Sequence, residues 1–327
     1  MPPMIAVAGP TGSGKSALAL RLAEEFAGEV INCDAMQLYR GFDIGTAKVP
    51  AGQRRGVPHH MIDVIDLFGG TAARGGAGGV FSAGDYARQA RRVIAEISAR
   101  GHLPIVAGGS GFYLRALLRG LPELPPRDEA LRRRLACRED ARPGALHRIL
   151  SRLDPAAARR IHPHDRPKLI RALEIRLLTG HPAPPPDSAD PLSGFRTLLF
   201  GLDPDRAALY KILDARAHEM FRLGLVEEVR SLLQAGASGK EWPFASLGYK
   251  QALACLRGSL SLEEAAACTA LETRRYAKRQ WTWLRREKEV VWLRGFGSDP
   301  EVIKEALHRV ADFIASRADA GRVVSRL

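Results

Sequence analysis

Gly9-Pro-Thr-Gly-Ser-Gly-Lys-Ser16 decides the fold, because it satisfies every fixed position of the phosphate-loop pattern Gly-x-x-x-x-Gly-Lys-Ser/Thr. Its flanks agree with it. Ile5 to Ala8 form a short apolar run suited to a buried parallel strand, and Ala17 to Ala23 continue as a helix. A strand, a glycine loop and a helix N-terminus together make an anion site: backbone N–H groups point inward and the helix dipole favours negative charge. The whole loop, Gly9, Pro10, Thr11, Gly12, Ser13, Gly14, Lys15 and Ser16, is therefore expected to hold a di- or triphosphate. Lys15 would neutralise terminal charge, and the Ser16 hydroxyl is the expected protein ligand of Mg2+. The loop does not say whether ATP or another polyphosphate occupies it.

Two further apolar runs end at the same kind of edge. Glu29 to Cys33 stops at Asp34, and Leu103 to Ala107 stops at Gly108-Gly109-Ser110-Gly111. Between them, Ser82 to Arg100 reads as a helix, with a capping-box signature in Ser82 and Asp85. Strands alternating with helices predict an α/β fold, a P-loop NTPase-like doubly wound parallel sheet with its site at the carboxyl ends of the strands. Asp34 there is a candidate general base, a magnesium ligand through water, or a cap for the following turn. The glycines of 108–111 would let backbone approach a ligand, with Ser110 offering a hydroxyl.

From Pro122 the character changes to Arg- and Ala-rich helical segments between Pro-rich edges. A mainly helical insertion is expected over 122–194, with 1–121 and 195–327 forming the core. Residues 195–202 read as a returning strand, and Val290 to Leu293 as a last one. Residues 69–79, low-complexity and Gly-rich, read as a loop. His59-His60 and His162-Pro-His164 lack the acidic or thiol neighbours of a zinc site and read as polar contacts. The four cysteines, Cys33, Cys137, Cys255 and Cys268, are far apart and suit a reducing cytoplasm. No apolar run has the length of a membrane span, and no secretory leader fits the N-terminus.

A net charge of +13 suggests a polyanionic partner, most simply nucleic acid, or an acidic membrane surface, unless it is an Arg bias that scatters over the chain. The excess clusters: in 272–288 Arg274, Lys278 and Arg285 share one helical face, with Arg275, Arg279 and Arg286 beside it and Tyr276, Trp281 and Trp283 interleaved. A basic stripe with aromatic bodies suits RNA. A second basic group, Arg166, Lys168, Arg171 and Arg176, lies in the insertion.

The ordered set of motifs resembles the tRNA dimethylallyltransferase (IPP transferase) family. It runs through Gly9 to Ser16, Asp34 to Gln37, Tyr39 to Lys48, His59 to Asp63, Gly108 to Tyr113, Arg160 to Asp165, Arg171 to Glu174, Gly248-Tyr249 and Lys278 to Arg285. The resemblance implies transfer of a dimethylallyl group from dimethylallyl diphosphate to N6 of adenosine 37 in the tRNA anticodon stem-loop, with diphosphate leaving. It makes Asp34 the catalytic base and puts Ser110 and Arg216 at the diphosphate. It also implies tRNA contacts at Asp34, Ala35, Met36, Gln37, Ser110 and Arg132. Others follow at Pro167, Lys168, Leu169, Ile170 and Arg171, and at Ala245, Ser246, Leu247, Gly248, Tyr249 and Lys250. The last group is Lys278, Arg279, Gln280, Trp281, Thr282, Trp283, Leu284 and Arg285. Ala35 replaces the family's usual Ser, Ser110 its usual Thr, and 69–79 is an insertion. A cytoplasmic monomer is expected. A phosphate-loop kinase, a prenyltransferase of free adenine nucleotides and a nucleic-acid-dependent ATPase are rivals, but the first two leave the basic helix without a use. The third lacks an apolar run ending in paired acids.

Overall fold

The computed structural model describes residues 1–68, 81–182 and 190–322, with side chains to residue 316. The Gly-rich stretch 69–79 and residues 183–189 lie outside the described residues. The strands are Pro3–Ala8 (β1), Gly28–Asn32 (β2), His59–His60 (β3), Leu103–Gly108 (β4), Arg196–Leu202 (β5) and Val290–Leu293 (β6). They form one parallel sheet in the order β3-β2-β4-β1-β5-β6, the doubly wound arrangement expected of the loop and its flanking runs.

Strand alternation sorts the core into two layers. Met4, Ala6, Ile31, Val106 and Leu199 face one way. They pack under Tyr86, Ala90, Ile94 and Ile97 of Ala83–Ala99 (α2) and Leu114 and Leu117 of Gly111–Arg119 (α3). Ile5, Val7, Val30, Ile105 and Phe200 face the other way. They meet Leu18 and Leu22 of Lys15–Glu25 (α1) and Val302, Ala306 and Val310 of the last helix. The strands are apolar on both faces because helices cover both; each fully buried branched side chain contributes about 2 kcal/mol. The Ser82 box is formed: its hydroxyl accepts the Asp85 N–H at 3.2 Å, and the Asp85 carboxylate accepts the Ser82 N–H at 2.9 Å.

Between α3 and β5 lie Glu129–Ala141 (α4), Ala145–Leu153 (α5), Pro155–Arg160 (α6) and Arg166–Thr179 (α7), which share an apolar cluster around Leu135, Leu146, Leu150, Leu169 and Leu173. Glu174 is fully buried and ties α7 to α4. Its carboxylate accepts from Arg132 at 2.8 Å, from Arg171 at 2.6 Å and from the Asp128 N–H at 2.8 Å. Burial works to raise its pKa, but the two guanidinium hydrogen bonds outweigh burial and hold it at about 2.

The remaining helices are Arg206–Arg222 (α8), Leu225–Gln234 (α9), Tyr249–Leu256 (α10), Leu262–Leu284 (α11) and Pro300–Arg322 (α12). Among the described residues no helix is long and apolar enough to cross a membrane. At the amino ends of the strands, Glu29 lies 2.6 Å from both His60 Nε2 and His102 Nδ1 and 2.9 Å from Arg100. Of the His59-His60 pair, His60 is thus a polar contact in a carboxylate clamp, while His59 Nδ1 meets the Val57 carbonyl at 2.8 Å. Burial raises the Glu29 pKa, and hydrogen bonds from both histidines and Arg100 lower it further than that, to about 2. His162 and His164 stack on each other, 5.3 Å between ring centres.

Candidate active site

β2, β4 and β1 are neighbours, so the segments that follow them meet at one edge. The phosphate loop follows β1, Cys33-Asp34 follows β2, and the Gly108 turn lies between them. The turn is sewn to its neighbour: the Ser110 N–H donates to the Cys33 carbonyl at 3.2 Å, and the Ser110 hydroxyl accepts the Ala35 N–H at 3.0 Å. A Cβ on Gly108 would lie 2.0 Å from the Cys33 carbonyl oxygen. The close approach at this glycine is therefore to the chain's own backbone and not to a ligand, contrary to the expectation from sequence.

The loop is built as an anion cradle. Gly14 caps α1 with φ +85°, a conformation that glycine adopts at little cost, and no side chain caps the helix. The N–H groups of Gly14, Lys15 and Ser16 have no acceptor among the described residues. Ser13 is fully buried with its hydroxyl unpartnered. The Lys15 ammonium folds back onto the Pro10 carbonyl at 2.7 Å. Burial lowers the Lys15 pKa to about 8; Asp34 opposes that shift and Arg216 adds to it. Affinity for inorganic diphosphate, taken relative to a Lys15→Met variant to remove the ligand's own titration, is expected to hold below about pH 8. It should fall toward parity with that variant as pH rises through that value, because only the ammonium attracts the anion. Isothermal titration across pH 7 to about 9.5 measures it; a pH-independent ratio would contradict the assignment of Lys15.

Above the loop opens a cavity of about 620 Å³. Asp34, Ser110 and Arg216 all line it, and Thr11 brings the loop into its wall. Asp34 Oδ1 accepts the Met36 N–H at 2.9 Å, so the carboxylate does fold its own turn, as the capping alternative had it. Asn32 fixes the same turn, its side chain accepting the Asp34 N–H at 2.9 Å and donating to the Met61 carbonyl at 2.8 Å. Arg216, on α8, has its pKa lowered by burial and supported by Asp34. Tyr276 of α11 has its hydroxyl pushed above its ordinary range by burial, with Asp34 adding to the effect and Ser110, Arg279 and Gln280 opposing it.

The other residues singled out from sequence divide. Ala35, Met36, Ala245, Ser246, Leu247, Lys250 and Arg279 line the same cavity. Gln37 donates to the Thr46 carbonyl at 3.2 Å. Gly248 and Tyr249 start α10 below the wall. Tyr249 is fully buried and donates to Glu228 at 2.5 Å, while Glu228 also accepts the Ile44 N–H at 2.9 Å, which pins the chain segment after Asp34. Arg132, Pro167, Lys168, Leu169, Ile170 and Arg171 sit on α4 and α7 and not on the cavity. Leu169 is in the apolar cluster there, and Lys168 pairs with Asp165 at 2.5 Å.

Within α11 the helical period splits the run. Gln280, Trp281 and Leu284 point inward and are buried, while Lys278, Arg279, Thr282 and Arg285 are exposed. Trp281 packs on Leu209 and Leu213, and the Trp283 ring fills the space a Cβ on Gly111 would take. The indoles are thus packing elements and do not interleave on the basic face. Sequence reasoning missed the apolar wall from α8, Leu213, Ala217 and Met220, and the exposed Trp242 at the rim. The first three flank Arg216 at helical spacing, a signal that was available.

Among the described residues no cluster of three His, Cys, Asp or Glu could hold a metal. The exposed Ser16 hydroxyl would be the protein oxygen offered to a Mg2+ ion, which commonly keeps several waters and shares phosphate oxygens.

Comparison with known proteins agrees with this fold. The family model described as IPP transferase matches residues 37–287. tRNA dimethylallyltransferase of Solibacter usitatus (strain Ellin6076) is 56% identical over 314 residues, covering 95% of this chain and 99% of the relative. The same-named protein of Koribacter versatilis (strain Ellin345) is 50% identical, covering 94% and 97%. These matches extend beyond the family model's span. In structure, the tRNA isopentenylpyrophosphate transferase of Bacillus halodurans superposes with TM-score 0.70 at 34% identity, covering 98% of this chain and all of that one. A eukaryotic dimethylallyltransferase described as acting on tRNA superposes with TM-score 0.78 at 27% identity, covering 97% and 80%. The chain belongs to the IPP transferase family.

Proposed function

We propose that this protein is a tRNA dimethylallyltransferase. It moves the five-carbon group of dimethylallyl diphosphate to N6 of adenosine 37 beside the anticodon. The observation that carries the reading is one cavity that reaches the phosphate loop at Thr11, is lined by Asp34, Ser110 and Arg216, and is walled by Arg275, Tyr276 and Arg279 of the basic helix α11. The loop N–H groups and Lys15 bind and neutralise the diphosphate, and Arg216 stabilises the charge that grows as the allylic C–O bond breaks. N6 forms the new C–N bond, and Asp34 accepts its proton. The Ser16 hydroxyl would hold Mg2+, which when bound would supply further neutralisation of the leaving group. Ser110 keeps the Asp34 turn in register through its bond to Ala35. The apolar wall of Leu213, Ala217 and Met220 suits the prenyl group, which offers no polar contact.

The target base must leave its stack to enter this cavity. On this reading the exposed cations of α11, with the insertion 122–194, hold the anticodon stem-loop from outside, and the protein acts as a cytoplasmic monomer. Replacing Arg275 and Arg279 with Ala is expected to weaken tRNA binding about tenfold. The slope of log affinity against log salt should fall by about two, one unit per lost phosphate contact. Filter binding across salt concentrations measures both; unchanged binding would return these arginines to solvent. The reading itself is tested by mixing protein, unmodified tRNA and dimethylallyl diphosphate and analysing nucleosides by mass spectrometry. Prenylated adenosine is expected. Its absence together with ATP consumption would give the site to phosphoryl transfer.

A further inference from the structure

Gln280 directly follows the exposed Lys278 and Arg279 on α11, yet it is only 7% exposed and both ends of its amide are used. Its Oε1 accepts the Thr11 N–H at 2.8 Å, and its Nε2 donates to the Gly109 carbonyl at 2.8 Å. One side chain thus ties the phosphate loop to the second glycine turn, and ties both to the helix that carries the basic face. The fit is close: a Cβ on Gly109 would come within 2.3 Å of Nε2. A buried amide satisfied at both ends fixes distance as well as contributing stability, because neither partner can shift without leaving a buried polar group unpaired.

We propose that Gln280 is a positioning residue that couples RNA docking on α11 to the shape of the phosphate loop. It rests on the proposed function for the identity of the RNA, but not for the loop's affinity for phosphate. RNA held by the outer face of α11 steadies the helix. The amide carries that order to Thr11 and Gly109, so the loop holds diphosphate more tightly when RNA is present. Linkage then requires diphosphate to tighten RNA binding by the same factor.

The test uses the full chain and inorganic diphosphate as probe, titrated calorimetrically with and without tRNA. In the wild type, tRNA is expected to tighten diphosphate binding about fivefold. Gln280→Met keeps the volume and removes both bonds. It should bind diphosphate about tenfold more weakly, lose the dependence on tRNA, and bind tRNA alone within about twofold of wild type. A merely structural role would lower melting temperature without abolishing that dependence. If Gln280→Met fails to fold, Gly109→Ala displaces the amide from its other end and is expected to give the same pattern. Three results would each overturn the proposal: wild-type diphosphate affinity in the variant, equal tRNA dependence in variant and wild type, or lost binding of tRNA alone. Failure of the prenylation assay with these titrations as expected would instead overturn the assigned reaction and leave the coupling standing.

Discussion

Asp34→Asn is expected to lower kcat about a thousandfold while tRNA affinity stays within about twofold. The substitution keeps size and shape, and an amide oxygen still accepts the Met36 N–H, so the turn that follows β2 is retained. What is lost, on the proposed mechanism, is the ability to take a proton from N6. An exocyclic aromatic amine is a poor nucleophile until that proton has somewhere to go, so the loss falls on the chemical step. Single-turnover rates and filter binding, measured side by side, separate the two quantities. Equal losses in both would make Asp34 a binding group and leave the base unassigned.

Gly108→Ala is expected to destabilise the protein by about 4 kcal/mol, the largest effect on folding of any substitution at this edge. The obstacle is backbone: the added methyl would lie 2.0 Å from the Cys33 carbonyl oxygen and 2.7 Å from its Cα. A side-chain neighbour could turn away, but a carbonyl inside a parallel sheet cannot move without breaking ladder bonds such as Cys33 N–H to Ala107 O at 2.8 Å. Denaturant titration measures it, with Gly52→Ala as the control, since a Cβ there meets nothing within 4 Å. A shift of the two midpoints by the same amount would show that β2 and β4 can part at this point.

These two positions also mark what the sequence makes legible. Asp34, the phosphate loop and the strands are local patterns: an apolar run that stops at a carboxylate or at glycines reads the same in any context. The glycines at 108 and 109 announce a close approach, but what approaches is set by strand order. The neighbour of β4 is β2, a fact that no local spacing contains. In α11 the period of 3.6 predicts two faces, but both carry aromatic and polar residues. Only packing against α8 decides that Trp281 turns inward, and only the placement of the phosphate loop beside the Gly109 turn decides that Gln280 does. Arg132 and Arg171 read as surface charge until Glu174 is seen buried between them.

The two ends of the sheet keep their charges differently. At the foot, Glu29 has His60, His102 and Arg100 around it. At the catalytic edge, Lys15 is held at a depressed pKa, the Ser13 hydroxyl has no partner, and a helix start stands uncapped. One end of the sheet thus satisfies its own charges, while the other, on the proposed function, would take its counter-charge from the diphosphate of the substrate. Binding at a hundred times the dissociation constant adds about 2.7 kcal/mol to the folded state. On the proposed function, the folding stability of this protein is accordingly tied to the concentration of its diphosphate donor, so that the same molecule sets both the rate of the reaction and the resistance of the catalyst to unfolding.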